Sequence, residues 1–379
     1  MYKVTYGAAK TKVTVVGSEG DMQYYSDITP WRLNGETVKV TIDNDHLGQI
    51  VSGVAQEQKN VDLRIDKGRK NLFGMLGAAF AFKCLLSPVV KIHLFRTYTC
   101  PILRSGLSSF SLRTTMLQPL SIFHRKTMRG ILNLSKSSNI PALHFLLGEL
   151  PIEAKIHKDV FSLFFSVWKN PDSKIYKIVK YLLENSLDNS RTWAIHLRFL
   201  TQKYGLDDPL ECLKFDPPSK SAYKELVRTK ICAHYEQNLR DLAENNSQMT
   251  YLNVSLSGLN GRHHPALSDI VTTTEVQKSR IHLKMLAGDY FTYGVKANQS
   301  GGSPHCRCCP SPSPDENISH ILTVCVAYVD IRNRMIPEFE KLCNEAKTDL
   351  HFQEICSQNE ALCQFILDPA NFNLEIGCT

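Results

Sequence analysis

The stretch 306-CRCCPSPSPDENISHILTVC-325 sets a CxxC pair, Cys306 and Cys309, ten residues ahead of an HxxxxC pair, His320 and Cys325. Two thiolates two residues apart can hold one ion from a tight turn, and a His and Cys five positions apart can reach it from the start of a helix. Three thiolates and one imidazole favour zinc, and four protein ligands leave no open position, so the metal is expected to be structural. The Pro-Ser-Pro-Ser-Pro run at 310–314 resists helix and strand and lets the half-sites fold back on each other. Cys308 is a spare thiol able to replace a neighbouring ligand. The bland reading of the cluster is a few buried thiols beside a surface histidine.

Working outward, 379 residues with 43% hydrophobic and 21% charged composition describe an ordinary globular chain long enough for two or three cores. The net charge of +7 is uneven, since residues 1–150 hold 19 Lys+Arg against 10 Asp+Glu. Such a surplus suits a polyanionic partner, although solvation alone produces it too. The start of the chain has lysines and no apolar signal core, so the twelve cysteines are expected to be reduced and the protein nuclear or cytoplasmic. Residues 72–82, eleven without a charge, are the best candidate for a membrane segment. They are too few to span a membrane and read as a buried helix.

Residues 1–53 look β-rich, with the runs 11–16 (TKVTVV), 37–42 (TVKVTI) and 46–51 (HLGQIV) punctuated by Gly17, Asn34-Gly35 and Gly48. After Gly53 the period becomes helical, with Val61, Ile65, Leu72 and Leu76 on one face and Lys59, Arg64, Lys67 and Lys70 on others. A long helix is expected over about 120–134, and a short one between Pro141 and Pro151. Phe161, Phe164, Phe165 and Trp168 share a helical face, 222–242 forms another long helix, and 245–265 reads as a Gly-rich linker. Closing helices are expected over 337–347 and 350–367. The fold class is therefore α+β, mainly α, with segments 1–53, 54–150, 151–292 and 293–379.

The order of short motifs carries a resemblance. Residues 6–13 (YGAAKTKV) look like the AsnXXLysThr segment after the catalytic hairpin of a polymerase palm, with Gly7 where Asn is usual. His46-Leu47-Gly48 resembles the TyrLeuGly of a primer-grip hairpin. Then come 64–77 (RIDKGRKNLFGMLG), Leu86-Ser87-Pro88, Tyr98 with 101–103 (PIL), 123–129 (FHRKTMR) with Ile131-Leu132, Leu146-Leu147-Gly148, 151–153 (PIE) and the terminal Cys/His cluster. In that order they resemble the reverse transcriptases of non-LTR retrotransposons, jockey/CR1-like elements, over most of the chain, thinning between about 170 and 290. The resemblance implies a palm remnant, a helical thumb, a connecting region and a zinc knuckle. The family's metal-binding aspartates lie upstream of the part matched here, so this reads as a truncated C-terminal fragment of an RNA-directed DNA polymerase, inactive alone. Magnesium would bind only if an upstream polymerase segment supplied the missing palm.

The resemblance implies contacts to template RNA, an RNA/DNA hybrid or target DNA, and no membrane. The candidates are Lys10 and Lys12 near the triphosphate, Leu47 and Gly48 at the primer grip, Arg64, Lys67, Arg69 and Lys70 along the thumb, and Arg125, Lys126 and Arg129 farther on. His305 and Arg307 can add contacts at the knuckle. Each has a bland alternative: an exposed strand lysine for Lys10 and Lys12, and for the second group a solvated helix face with Asp66 pairing Lys70. Asp207-Asp208 mimics the family's aspartate pair but precedes Pro209 and reads as a helix cap. His263-His264 reads as a loop pair without a sequence-near ligand partner. Trp31, Trp168 and Trp193 read as core or hinge packing. No phosphate loop, nucleophile elbow or HExxH motif occurs. The rival from another class is a zinc-stabilised helical interaction protein with no nucleic-acid role.

Overall fold

The structure is a computed structural model and describes residues 11–15, 19–27, 31–41, 43–76, 86–185, 192–268, 270–290, 292, 301–310, 312–345 and 352–372. The fold is α+β and mainly α. Six short strands, β1 Lys12–Thr14, β2 Arg32–Leu33, β3 Glu36–Thr37, β4 Lys39–Thr41, β5 Asp43–His46 and β6 Gln49–Ser52, precede most of the helices. The helices α1 to α12 are Glu19–Asp27, Gln56–Leu76, Pro88–Leu94, Cys100–Arg104, Thr114–Leu132, Ile140–Leu147, Ile152–Trp168, Lys174–Asn185, Trp193–Tyr204, Pro209–Cys212, Lys220–Glu244 and Thr273–Leu286. Beyond the Cys/His cluster lie α13 Val329–Glu345, α14 Phe352–Ser357 and α15 Asn359–Leu367. Two compact units form, each from three separate stretches: 1–71, 98–122 and 155–227 in the first, 72–97, 123–154 and 228–379 in the second.

In the first unit, β1 pairs with β4 in parallel, while β2–β3 and β5–β6 are antiparallel hairpins. Both hairpins turn on two residues with positive φ, Asn34-Gly35 at 54° and 86° and Leu47-Gly48 at 49° and 77°, the mirror-image turn that matches strand twist. The run 46–51 is therefore not one strand: Leu47-Gly48 is the bend, and Leu47 is 91% exposed. The β-rich reading also missed α1. The β5–β6 hairpin is fixed to α2 by polar side chains. Asn60, fully buried, exchanges hydrogen bonds with Ile50 N (2.9 Å) and Ile50 O (2.7 Å) and so covers the β6 edge. Lys59 bonds Asp43 (2.7 Å), and the Arg64 guanidinium donates to Gly48 O (2.8 Å).

The buried line on α2 is Val61, Arg64, Gly68 and Leu72, which differs from the expected apolar set because the facing hairpin offers a carbonyl. The uncharged run begins with Leu72 buried and Phe73 60% exposed, and residues 77–85 lie outside the described ones. The core of this unit is aromatic. Phe161, Phe164, Phe165 and Trp168 are all buried on α7, as their spacing predicts. Phe164 stacks on Trp168 and Phe165 on Tyr223, while Trp168 Nε1 donates to Phe215 O (2.9 Å). Trp193 Nε1 donates to Ser108 O (2.8 Å), whereas Trp31 is 44% exposed. Asp208 caps α10 by accepting from Leu210 N (2.8 Å) and pairs with Arg198 (2.9 Å), so the Asp207-Asp208 pair is the helix cap its neighbouring proline suggested.

In the second unit α6 is buried at every residue from Pro141 to Leu147 and ends on Gly148, with φ +60°. A Cβ there would lie 2.4 Å from Arg262 O, because the 258–264 segment crosses that end, with Gly261 N bonded to Gly148 O (3.1 Å) and His264 N to Leu146 O (2.9 Å). Residues 245–265 are thus no linker. Their polar groups terminate α6, and Met249, Leu252 and Leu259 are buried. Two prolines sit inside helices, Pro119 in α5 and Pro337 in α13, so α5 begins six residues and α13 eight residues before the positions expected from proline placement. Each proline forfeits one hydrogen bond, and at Pro119 burial of Leu117 and Leu120 offsets the loss. The second closing helix is broken at Gln358, whose backbone is extended.

Burial pushes the His144 imidazole down to about 3, with the neighbouring His124 adding to the effect. The unfolded chain therefore binds a proton at this residue below about pH 6.5 that the folded chain refuses. The stabilisation is fully present above that pH and is lost as pH falls toward 4. Urea midpoints at pH 7.5, 6, 5 and 4.5 should drop in that window. In H144Q the pH slope should be shallower by up to about 1.4 kcal/mol per pH unit; an unchanged slope would contradict the assignment.

Candidate metal centre

Prolines shape the first half-site. Cys306 N donates to Pro314 O (2.9 Å) and Glu316 N to Pro304 O (2.8 Å), so both prolines serve as acceptors and their missing N–H groups are not needed. His305 and Asp315 face each other across this short ladder, with Nδ1 and Oδ1 3.0 Å apart. The second half-site is a single wide turn, His320–Val324, started by Asn317 Oδ1 accepting from His320 N (2.7 Å) and closed by Cys325 N to His320 O (2.8 Å). In an α-helix residues five apart lie about 140° apart around the axis. An i to i+5 turn brings them to one side, which is what the HxxxxC spacing requires.

The four side chains converge. Cys306 Sγ is 3.7 Å from Cys325 Sγ, Cys309 Sγ is 3.5 Å from His320 Nε2, and all four ligand atoms lie within 4.8 Å of one another. A tetrahedral ion with sulfur at about 2.3 Å and nitrogen at about 2.0 Å sets sulfurs about 3.8 Å apart and sulfur and nitrogen about 3.5 Å apart. A disulfide would need about 2.05 Å. Cys306, His320 and Cys325 are buried, while Cys308 is exposed and outside the group. Burial pushes the Cys306 thiol up, but backbone N–H groups of Cys308 and Cys309 and the Cys325 thiol outweigh it and hold the pKa below the ordinary value. Donors aimed at one sulfur are the surroundings of a thiolate ligand. Arg332 ties the turn to α13 by donating to Cys325 O and Ile321 O. The four residues form a group able to hold a metal ion.

The expected nucleic-acid contacts scatter. Lys10 lies outside the described residues; Lys12 is exposed on β1, and Leu47 and Gly48 form the β5–β6 bend. Arg64 is 5% exposed, and burial holds its pKa down, so it is a structural clamp and not a presented cation. Lys67, Arg69 and Lys70 are exposed, with Arg69, not Lys70, pairing Asp66 (3.2 Å). In the second unit Lys126 is exposed, Arg125 is half-buried, and Arg129 donates to both Ser138 Oγ and Ser138 O (3.1 Å each). His305 is engaged with Asp315.

Sequence reading missed the buried polar groups of the second unit. His264 is fully buried with Nε2 3.4 Å from the buried Asp368, too long for a good hydrogen bond, and Asp368 Oδ1 has no hydrogen-bond partner. Glu149 lies between Arg96 and His124. These partners are 25 to 104 positions apart, and no local spacing marks them. No protein-family profile matches the chain, and neither a curated protein nor a solved structure matches it. Among the described residues no helix is long and apolar enough to cross a membrane.

Proposed function

We propose that this chain is the C-terminal part of a non-LTR retrotransposon RNA-directed DNA polymerase, a palm remnant, thumb and zinc knuckle that hold template RNA, an RNA/DNA hybrid or target DNA. The observation that carries the metal part is the meeting of Cys306, Cys309, His320 and Cys325 at tetrahedral separations. Three sulfurs and an imidazole select zinc, and a closed four-ligand set gives it a structural role. The order of sequence motifs supports the polymerase reading, and exposed Lys12, Lys67, Lys70 and Lys126 are candidate cations for phosphates, with Arg69 already paired to Asp66. Asp208 is spent on a helix cap and on Arg198, so magnesium chemistry enters only if another segment brings the carboxylates. The chain alone is not expected to polymerise.

Filter binding to single-stranded RNA, duplex DNA and a hybrid at 50 to 200 mM salt tests the reading. Each phosphate contact removed, as in K67A or K70A, should weaken binding to every sequence alike and reduce the salt slope by about 0.9 on duplex DNA and about 0.7 on single-stranded RNA. Arg64→Ala should leave that slope unchanged and lower the stability of the first unit by about 1–3 kcal/mol, through the orphaned Gly48 carbonyl and the emptied site. Absence of binding to all three probes at low salt would sink the proposal. A second reading, a zinc-stabilised interaction protein, draws on apolar residues beside the metal turn, since Val324, Val326 and Val329 are 45–50% exposed. It predicts no nucleic-acid affinity and an unchanged zinc content.

A further inference from the structure

Helix α8, Lys174–Asn185 (KIYKIVKYLLEN), is pinned inside the first unit yet leaves much of its apolar girth uncovered. Val179 and Leu183 are buried, Tyr176 OH donates to Leu213 O (3.1 Å), and Arg198 donates to Leu183 O (3.0 Å). On the outer side Ile175, Ile178 and Tyr181 are 61%, 57% and 64% exposed. Ile175, Ile178 and the half-buried Leu182 follow a three-then-four spacing, which is the seam one helix offers to another. Lys174 and Lys177 run beside that seam on one flank, with Lys180 farther round, and all three are exposed. Among the described residues no ion pair engages them; Glu184, the helix's one acidic residue, lies farther from the seam than Lys174 and Lys177, between Lys177 and Lys180.

We propose that this face is a docking surface for an amphipathic helix of a partner protein, one with apolar side chains at three–four spacing and acidic residues along one flank. The basic flank requires an anionic occupant, and the aliphatic seam selects among anionic occupants. A single-stranded nucleic acid would find one aromatic ring, Tyr181, to stack on, and two isoleucines that add nothing to phosphate binding. An anionic membrane would meet only three or four apolar side chains, because Val179 and Leu183 are already used within the unit. A second copy docked antiparallel would set lysine against lysine. The surface is preorganised, since both ends of α8 are fixed by hydrogen bonds, so a partner orders only itself on binding. This inference does not depend on the polymerase reading.

The test uses the full chain and two fluorescein-labelled synthetic helices that share leucines at three–four spacing and carry either glutamates or lysines on one flank. Anisotropy should give the glutamate helix at least about tenfold tighter binding than the lysine helix, weakening with salt. The charge-swapped K174E/K177E chain should reverse the preference, and I175S/I178S should bind neither helix. All four positions are exposed, so unchanged circular dichroism and melting certify folding. Equal binding of both helices, or a charge-swapped chain that keeps the original preference, would overturn the proposal. So would indifference to the helices together with K174E/K177E-sensitive binding to phosphatidylserine vesicles or to an oligouridylate strand.

Discussion

Chelating the ion from Cys306, Cys309, His320 and Cys325 is expected to unfold residues 301–328. Within 301–325 the buried described residues are Cys306, Ser319, His320 and Cys325, so the ligands are themselves the core of this segment. Structural zinc supplies an apparent 10–16 kcal/mol near pH 7, whereas a short hairpin and a single wide turn have almost no apolar surface to replace it. The purified chain should release one zinc on mercurial titration. Metal removal, or C306S, should expose the amides of Cys306, Glu316 and Cys325 to rapid hydrogen exchange, since these close the two half-sites. C308S should retain both zinc and protection, because that thiol is exposed and is not among the four converging ligands. A metal-free chain whose exchange is unaffected by C306S would remove the centre from any functional account.

That this centre was legible before the fold follows from its locality. Ligands within twenty residues, with proline between the pairs, leave few ways to be arranged. Asn34-Gly35 was readable for the same reason, since mirror-image turns demand positive φ. Leu47-Gly48 was harder, because leucine rarely adopts that conformation and its β-branched neighbours masked the bend.

Arg64 marks the limit of periodicity. On a helix drawn alone, its charge places it outside with Lys67 and Lys70, and only the Gly48 carbonyl of the facing hairpin turns it inward. Pro119 misleads in the opposite direction, because a local penalty is visible in sequence while the burial of Leu117 and Leu120 that offsets it is not. The 245–265 segment combines both effects, being polar because it supplies hydrogen bonds to the end of α6 rather than because it is solvated. Of the nucleic-acid candidates, sequence can mark a cation but not its direction, and two of the arginines, Arg64 and Arg129, turn out to hold backbone carbonyls.

Removing Glu149 should destabilise the second unit more than any other single substitution outside the metal centre. Its side chain is 2% exposed, with Oε2 2.7 Å from Arg96 Nε and Oε1 3.3 Å from His124 Nε2. The Arg96 guanidinium also donates to Leu147 O (2.6 Å) and Gly148 O (2.8 Å), the terminal carbonyls of α6. His144 Nδ1 meets Glu149 O at 2.6 Å from within the same helix. Glu149→Ala therefore leaves a cation held among backbone carbonyls without its counter-charge; loss of one partner of a fully buried pair costs about 3–5 kcal/mol, and the 27% exposure of Arg96 puts this loss at or below the lower end. Glu149→Gln keeps the shape and hydrogen-bonding capacity, so it should fall between wild type and alanine. Replacing both partners, as in R96M/E149A, should recover part of the loss, because no unpaired charge remains. Hydrogen exchange at the α6 amides reads this locally, and urea unfolding reads it globally. A cost under about 1 kcal/mol for E149A, or strict additivity with R96M, would mean that Arg96 holds the helix end through the carbonyls alone.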